Sequence, residues 1–253
     1  MIRVYVATPT VGTVVDSQVH FMRKIAEQYA GRVELVYPDR CVRRIFHDFA
    51  RNAMVEDFLD SGCDVLWFLD SDVTPPEHIL DLVTESYDKW KVAGGIYPIF
   101  MPTPGNDHNS VMWAAYAKAT GKGYHPCASI PDEGRDFVDG LATGCIMVKR
   151  EVFTEILPER PFFKFSYDEN TRTMTEGEDF YFIRRCNEKG LKFFTDFSMR
   201  CKHQKSVDLM DVNEYAIRVA DEAVAKYQAM IKEEIAKRSK RPLAVPELKV
   251  KWT

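Results

Sequence analysis

The chain lacks several features that would assign it at once. Its six cysteines (Cys41, Cys63, Cys127, Cys145, Cys186, Cys201) include no Cys-x-x-Cys pair. That disfavours a structural zinc site, and the scatter does not look like a disulfide framework. No apolar run reaches the length of a bilayer, so no transmembrane segment is expected. The first residues enter a β-rich run, Ile2 to Ala7, without a basic and then apolar leader. A reducing, cytoplasmic setting is the expectation that follows. A basic excess is missing too. Net charge −4 over 253 residues argues against a generic nucleic-acid binder, though not against a local basic patch. Internal repeats and low-complexity tracts are absent. The remaining composition, 45% hydrophobic and 28% charged, suits a globular chain able to bury a large core.

Strand and helix signals alternate through the first hundred residues. Short β-rich runs cover 3–7, 33–37 and 65–69. Helical periodicity covers about 16–29, with Phe21, Ile25 and Tyr29 at four-residue spacing, and 43–60, ended by Gly62. Phe46, Phe49, Ala50, Ala53, Met54 and Leu59 are available for the apolar face of the second helix. A third helix is expected from about Pro76 to Trp90, then a strand or turn over 92–98 containing Gly94 and Gly95. Such alternation predicts an open α/β sheet, whose ligands bind at the carboxyl ends of strands. Glycines and prolines interrupt residues 101–136 repeatedly, which predicts a covering loop or lid. Order returns over Gly140–Val148, where the glycines permit either close backbone approach or a tight bend. Phe193 to Asp196 is a short strand. A long amphipathic helix, about 212–237, carries Val212, Ala216, Val219, Ala223, Tyr227, Met230 and Ile235 on one stripe. It is expected to pack on the domain or on another subunit as a homo-oligomer contact. A basic tail, 237–241, follows.

The richest stretch is Val65-Leu-Trp-Phe-Leu-Asp70-Ser71-Asp72-Val-Thr-Pro-Pro76. A buried strand stops at two carboxylates, and strand alternation would place Asp70 and Asp72 on one side with Ser71 opposite. A divalent cation such as Mg²⁺ or Mn²⁺ would relieve the repulsion; a solvated turn is the other reading. A second acidic cluster, Glu176-Gly-Glu178-Asp179, precedes an apolar periodic segment. Helix capping accounts for one or two of these acids, and Asp179 or Glu178 could otherwise act as a general base. His203 stands alone. By itself it reads as a structural or exposed histidine, and imidazole also suits Mn²⁺ beside a carboxylate.

The ordered set Asp70-Ser71-Asp72, Glu178-Asp179 and His203 resembles the GT-A glycosyltransferases. Arg51-Asn52, on the helix before the Asp-Ser-Asp strand, looks like the Arg-Asn of the inverting family that includes cellulose and chitin synthases, and of the Anp1-type mannosyltransferases. Gly140 to Arg150 resembles their Gly-rich strand leading to the acceptor side. The resemblance covers roughly residues 1–210 and leaves 211–253 as a separate helix and tail. It implies a single Rossmann-like GT-A domain with a mixed sheet flanked by helices. It also implies a hexosyltransferase using a nucleotide-diphosphate sugar, with UDP-sugars favoured.

By the same resemblance, Asp72 is the direct metal ligand, Asp70 faces the ribose or the metal, and His203 completes the Mn²⁺ or Mg²⁺ site. Thr8, Pro9 and Thr10 border the nucleotide base. Arg51 lies near the diphosphate or base, and Ser71 belongs to the same donor stretch. Asp179 takes the acceptor proton in an inverting reaction, with Glu178, Gly144 and Trp113 on the acceptor side. Trp113 and Tyr116 could stack on a sugar or pack in the core. The acceptor is open: a glycan, a small molecule, a protein, or a DNA base approached through the tail and Arg43-Arg44. Two alternatives stand beside this reading. One is a non-catalytic nucleotide- or sugar-binding module. The other is a nucleotidyltransferase, though Thr8-Pro9-Thr10-Val-Gly12 lacks the Gly-rich basic loop such enzymes carry.

Overall fold

A computed structural model describes residues 1–9, 16–38, 46–102, 109–119, 123–204 and 209–239. Thr10, Cys41, Arg43, Arg44 and the tail beyond 239 lie outside the described residues. The chain divides into two units, Met1–Pro102 with Ser110–Lys205, and Thr103–Asn109 with Ser206–Thr253. In the second, α-helix Leu209–Ser239 is one continuous element, longer at both ends than its periodicity predicts. No helix among the described residues is long and apolar enough to cross a membrane.

The first unit is built around a seven-stranded sheet. In chain order its principal elements are β1 (Ile2–Ala7), α1 (Asp16–Gln28), β2 (Val33–Val36), α2 (His47–Ser61), β3 (Val65–Leu69) and β4 (Val73–Thr74). After a helical turn, α3 (Asp81–Thr84), come β5 (Val92–Gly94), β6 (Pro98–Pro102), β7 (Asn109–Ala119), β8 (Gly123–Cys127), β9 (Arg135–Val138), β10 (Gly140–Leu141) and β11 (Cys145–Lys149). A small hairpin, β12 (Ser166–Tyr167) and β13 (Met174–Glu176), leads to α4 (Glu178–Glu188), β14 (Phe193–Asp196) and β15 (Lys202–His203).

The main sheet runs β2-β1-β3-β11-β5-β14-β9. Strands β2, β1 and β3 are mutually parallel, and β11 enters antiparallel between β3 and β5. This is the α/β architecture expected from the alternating sequence, with the mixed sheet that the resemblance implies. All five residues of β3 are buried, which is why that strand reads as one unbroken apolar run rather than an alternation. Phe21, Ile25 and Tyr29 seal α1 to the sheet, and the Tyr29 hydroxyl reaches Asp81 at 2.6 Å.

Three expectations change. The helix expected over 76–90 is reduced to one turn, α3, and a 3-10 turn at Tyr87–Lys89. Ile79, Leu80, Leu82 and Val83 are all buried, so the segment is enclosed rather than laid on one face, and the Trp90 indole donates to the Leu82 carbonyl at 2.8 Å. The described parts of 101–136 are largely β-structure, not loop. β7 pairs with β8 and β10, and β9 completes the main sheet against β14. Their glycines and prolines sit among short strands, where the sequence reads only interruption. Finally, α2 is rotated from its predicted face. Phe46 and Phe49 are exposed, whereas Ala50, Arg51, Met54, Val55 and Phe58 are buried.

Gly94 is fixed by sheet packing. A Cβ there would lie 2.4 Å from the Cys145 carbonyl oxygen and 3.2 Å from the Ile146 Cα, both backbone atoms that cannot rotate away. Gly94→Ala is therefore expected to cost about 1–3 kcal/mol or more in denaturant unfolding. An unchanged midpoint would show that β5 and β11 can separate without loss.

Candidate functional site

Two polar clusters form at the carboxyl edge of the parallel strands, where β1 and β3 end. The first is centred on Arg51. Its side chain is only 3% exposed, although it carries a full charge. It emerges from the second turn of α2 and donates through Nη2 to both carboxylate oxygens of Asp70, at 3.2 and 3.3 Å. Its Nε lies 3.9 Å from Glu178 Oε1 and 3.9 Å from Asp179 Oδ1. The guanidinium also sits 5.2 Å from the Phe68 ring centre. One cation thus faces three carboxylates from two elements. Burial works against the charge, but the three acids outweigh it and hold Arg51 more firmly protonated than an ordinary arginine.

The acids differ in state. Glu178 and Asp179 occupy the first turn of α4, where the helix dipole favours negative charge. Burial pushes the Asp179 carboxyl up to about 6; Glu178 and Asp70 add to the shift, while Arg51 and a Thr143 hydrogen bond oppose it. Thr143 Oγ1 donates to Asp179 Oδ1 at 2.5 Å, and its N–H points to Oδ2 at 3.4 Å. Burial also pushes Glu178 upward, but His47 and Arg51 win, and its carboxyl lies below the ordinary value. His47 Nδ1 is 3.6 Å from Glu178 Oε1, which raises the imidazole's affinity for a proton. His47 and Arg51 are four residues apart on α2, so they present one face to these acids.

The second cluster is Asp72 and His203. β3 ends at Leu69, and residues 70–73 form a turn closed by Val73 N–H to the Asp70 carbonyl at 3.0 Å. Strand alternation therefore does not govern Asp70 and Asp72. Asp70 is held by Arg51, while Asp72 meets His203, delivered by pairing of β15 with β4. Gln18 on α1 braces the turn, its Nε2 donating to the carbonyls of Asp70 and Val73.

His203 Nδ1 is 2.8 Å from the Pro98 carbonyl, which can only accept, so that nitrogen carries hydrogen. The opposite nitrogen, Nε2, faces Asp72 Oδ2 at 3.5 Å. With its hydrogen on Nδ1, the ring turns the Nε2 lone pair toward the carboxylate, and a cation would fit between the two acceptors. A carboxylate oxygen and an imidazole nitrogen are a donor pair that suits Mn²⁺. Among the described residues no three His, Cys, Asp or Glu side chains converge as a metal group, so the Asp70-Asp72-His203 triad is not assembled.

Tyr97 joins the two clusters. Its ring packs edge-on against His203 at 4.8 Å, and its hydroxyl accepts the Gly144 N–H at 3.1 Å. Burial pushes this phenol well above its usual range, with Asp70 and Asp179 adding, so it stays neutral. A Cβ on Gly144 would fall 2.5 Å from the Tyr97 hydroxyl and 3.2 Å from Asp70 Oδ2, so this glycine serves close approach rather than a bend.

Of the other expected residues, Thr8, Pro9 and Ser71 are half-buried beside these strand ends. Trp113 is half-buried with the Arg200 guanidinium 5.4 Å from its ring centre. Tyr116 packs on Phe180 at 4.9 Å, and its phenol is pushed up by burial and by Asp179. Asn52 is separated in role from Arg51. It holds the backbone of Phe162 and Phe163, accepting from both N–H groups and donating to the Phe163 carbonyl. Arg150 binds the carbonyls of Phe58, Leu59 and Cys63, ending α2 rather than entering the site. His47, Tyr97, Thr143 and Gln18 are the participants that sequence reasoning misses.

No family model matches the chain, and no curated protein matches it. Solved structures do. A197 from STIV is 22% identical with a TM-score of 0.53, over 81% of this chain and 87% of that one. A crystal structure of GalNAc-T7 with UDP, GalNAc and Mn²⁺ is 15% identical with a TM-score of 0.49, over 82% of this chain and 44% of that one. The first likeness is one of fold alone. The chain spans less than half of the second protein.

Proposed function

We propose that the chain is a metal-dependent glycosyltransferase of the GT-A type, moving a sugar from a nucleotide-diphosphate sugar to an acceptor hydroxyl. The observation that carries this is the pairing, at one sheet edge, of a carboxylate poised near neutral pH with a carboxylate–imidazole pair suited to a divalent cation.

Asp179 is the general base in this reading. Thr143 fixes its carboxylate, and each oxygen keeps a lone pair for an incoming hydroxyl. A base with a value of about 6 is ionised at neutral pH yet still basic enough to draw a proton as the new bond forms. Asp72 and His203 would hold Mn²⁺ or Mg²⁺, which when bound neutralises the departing diphosphate. Thr8, Pro9 and Ser71 would border the nucleotide, with UDP-sugars the favoured donors. Gly144 leaves room between Tyr97 and Asp70, and Trp113, Tyr116 and Glu178 lie toward the acceptor. The acidic surroundings of Arg51 also favour the positive charge that develops on a sugar ring as its glycosidic bond breaks.

The test is nucleotide release from UDP-, GDP- and dTDP-sugars with Mn²⁺, with Mg²⁺, and after chelation. Metal-dependent release from one donor class is expected. Binding without turnover across a broad acceptor panel would leave a non-catalytic module. Release untouched by chelation would remove the metal from the scheme.

A further inference from the structure

We propose that Arg51 is a positioning residue that serves the three carboxylates of the site and does not bind the donor. The inference rests on the transferase reading for its meaning, but its physical content is independent of it.

The guanidinium is 3% exposed, and its nearest partners are all acids of the protein: Asp70 at 3.2 Å, Glu178 at 3.9 Å and Asp179 at 3.9 Å. A diphosphate competing for that cation would have to displace Asp70 and reach a buried group that lies over the Phe68 ring. The Nε–H group points the same way. Nε and Nη1 have no hydrogen-bond partner, yet Nε already lies within 3.9 Å of two carboxylates. Sub-ångström closure of those gaps would satisfy it without any ligand. Arg51 thus binds one acid firmly and two loosely, and the loosely held pair contains the base.

The consequence falls on Asp179. It is faced by Glu178 on its own helix, by Asp70 after β3, by Tyr116 from β7, by Tyr97, and by the Thr143 hydroxyl from the turn before β11. Glu178 in turn faces His47. Among these neighbours Arg51 is the only full cation close to the Asp179 carboxylate, against two acids. Removing the cation leaves the half-buried Asp179 beside Glu178 and Asp70, and both partial desolvation and repulsion then favour its protonated form.

The experiment follows Asp179 by carbon-13 carboxyl NMR across pH, without donor or metal, in the wild type, Arg51→Lys, Arg51→Met and Glu178→Gln. Steady-state kinetics against pH accompany it. In Arg51→Met the Asp179 midpoint should rise by at least about one pH unit. The acid limb of kcat should move with it, and donor KM should stay within about threefold. Arg51→Lys should restore part of the shift. Glu178→Gln removes a neighbouring acid and should move the midpoint down, which keeps the test open if Arg51→Met does not fold. A fixed Asp179 midpoint in these variants overturns the proposal. So does a tenfold rise in donor KM with an unmoved pH profile, which would make Arg51 a donor ligand. If the midpoints move as stated and no donor is turned over by the wild type, the positioning role stands and the transferase reading fails.

Discussion

Asp179→Asn is expected to lower sugar transfer by about 10²–10⁴-fold while leaving nucleotide binding nearly unchanged. The amide keeps the shape of the side chain and can still accept from Thr143, so the first turn of α4 should hold. What it loses is the ability to take a proton. The pH profile separates this from a structural effect. With the wild-type carboxyl at about 6, kcat should climb with pH through that value and level off above it, and the Asn variant should lack the limb. Stability should respond in the opposite sense. The folded-state value lies above the ordinary 3.8, so the folded protein retains a proton that the unfolded chain releases. Its contribution favours folding at low pH, is lost as pH rises from about 4 to about 6, and stays lost above that. The Asn variant should therefore gain in melting temperature relative to the wild type on going from pH 4 to pH 8. Thermal unfolding at the two values checks this, and a variant that loses ground at pH 8 would contradict the raised carboxyl.

The sequence makes the acids legible but not their arrangement. An apolar run of five that ends in Asp-Ser-Asp marks a buried strand and the point where it stops, and both are observed, with the acidic end half-buried. The step from there to a shared side fails for a local reason. Alternation holds only while the chain stays extended, and the turn after Leu69 sends Asp70 to α2 and Asp72 to β15. Arg51 could be noticed only through a resemblance, because a charged residue in an apolar helix stripe contradicts hydrophobic patterning. It is buried because acids from α4, far along the chain, close over it. Tyr97 and Thr143 leave no signal of their own. A tyrosine near a proline and a threonine between small residues become meaningful only when β11 runs antiparallel beside β3 and brings Gly144 against Asp70. The described β-structure between 98 and 138 leaves a weak signal for a related reason: β9 pairs with the distant β14, and the glycines and prolines around the neighbouring β7 and β8 break up any local periodicity.

His203→Ala and Asp72→Ala should each lower Mn²⁺ affinity at least about 100-fold, because removing even the groups that merely orient metal ligands costs 10–100-fold. Calorimetry with the metal alone reads this without any need for turnover. The reasoning comes from the hydrogen on His203 Nδ1. The Pro98 carbonyl fixes the ring with Nε2 toward Asp72, so the lone pair and the carboxylate oxygen are already aimed at a common point. Neither side chain belongs to the sealed core, at 11% and 30% exposed, so both variants should fold with small changes in melting temperature. Asp70→Ala should behave in reverse. It removes the closest partner of a buried cation, so it should destabilise the fold, by no more than about 3 kcal/mol given that Glu178 and Asp179 remain nearby. Its effect on Mn²⁺ affinity should be the smaller of the three. Equal loss of metal affinity in Asp70→Ala and Asp72→Ala would instead mean that Asp70 leaves Arg51 to join the cation. The two clusters would then be one, and the guanidinium would be the group released when metal binds.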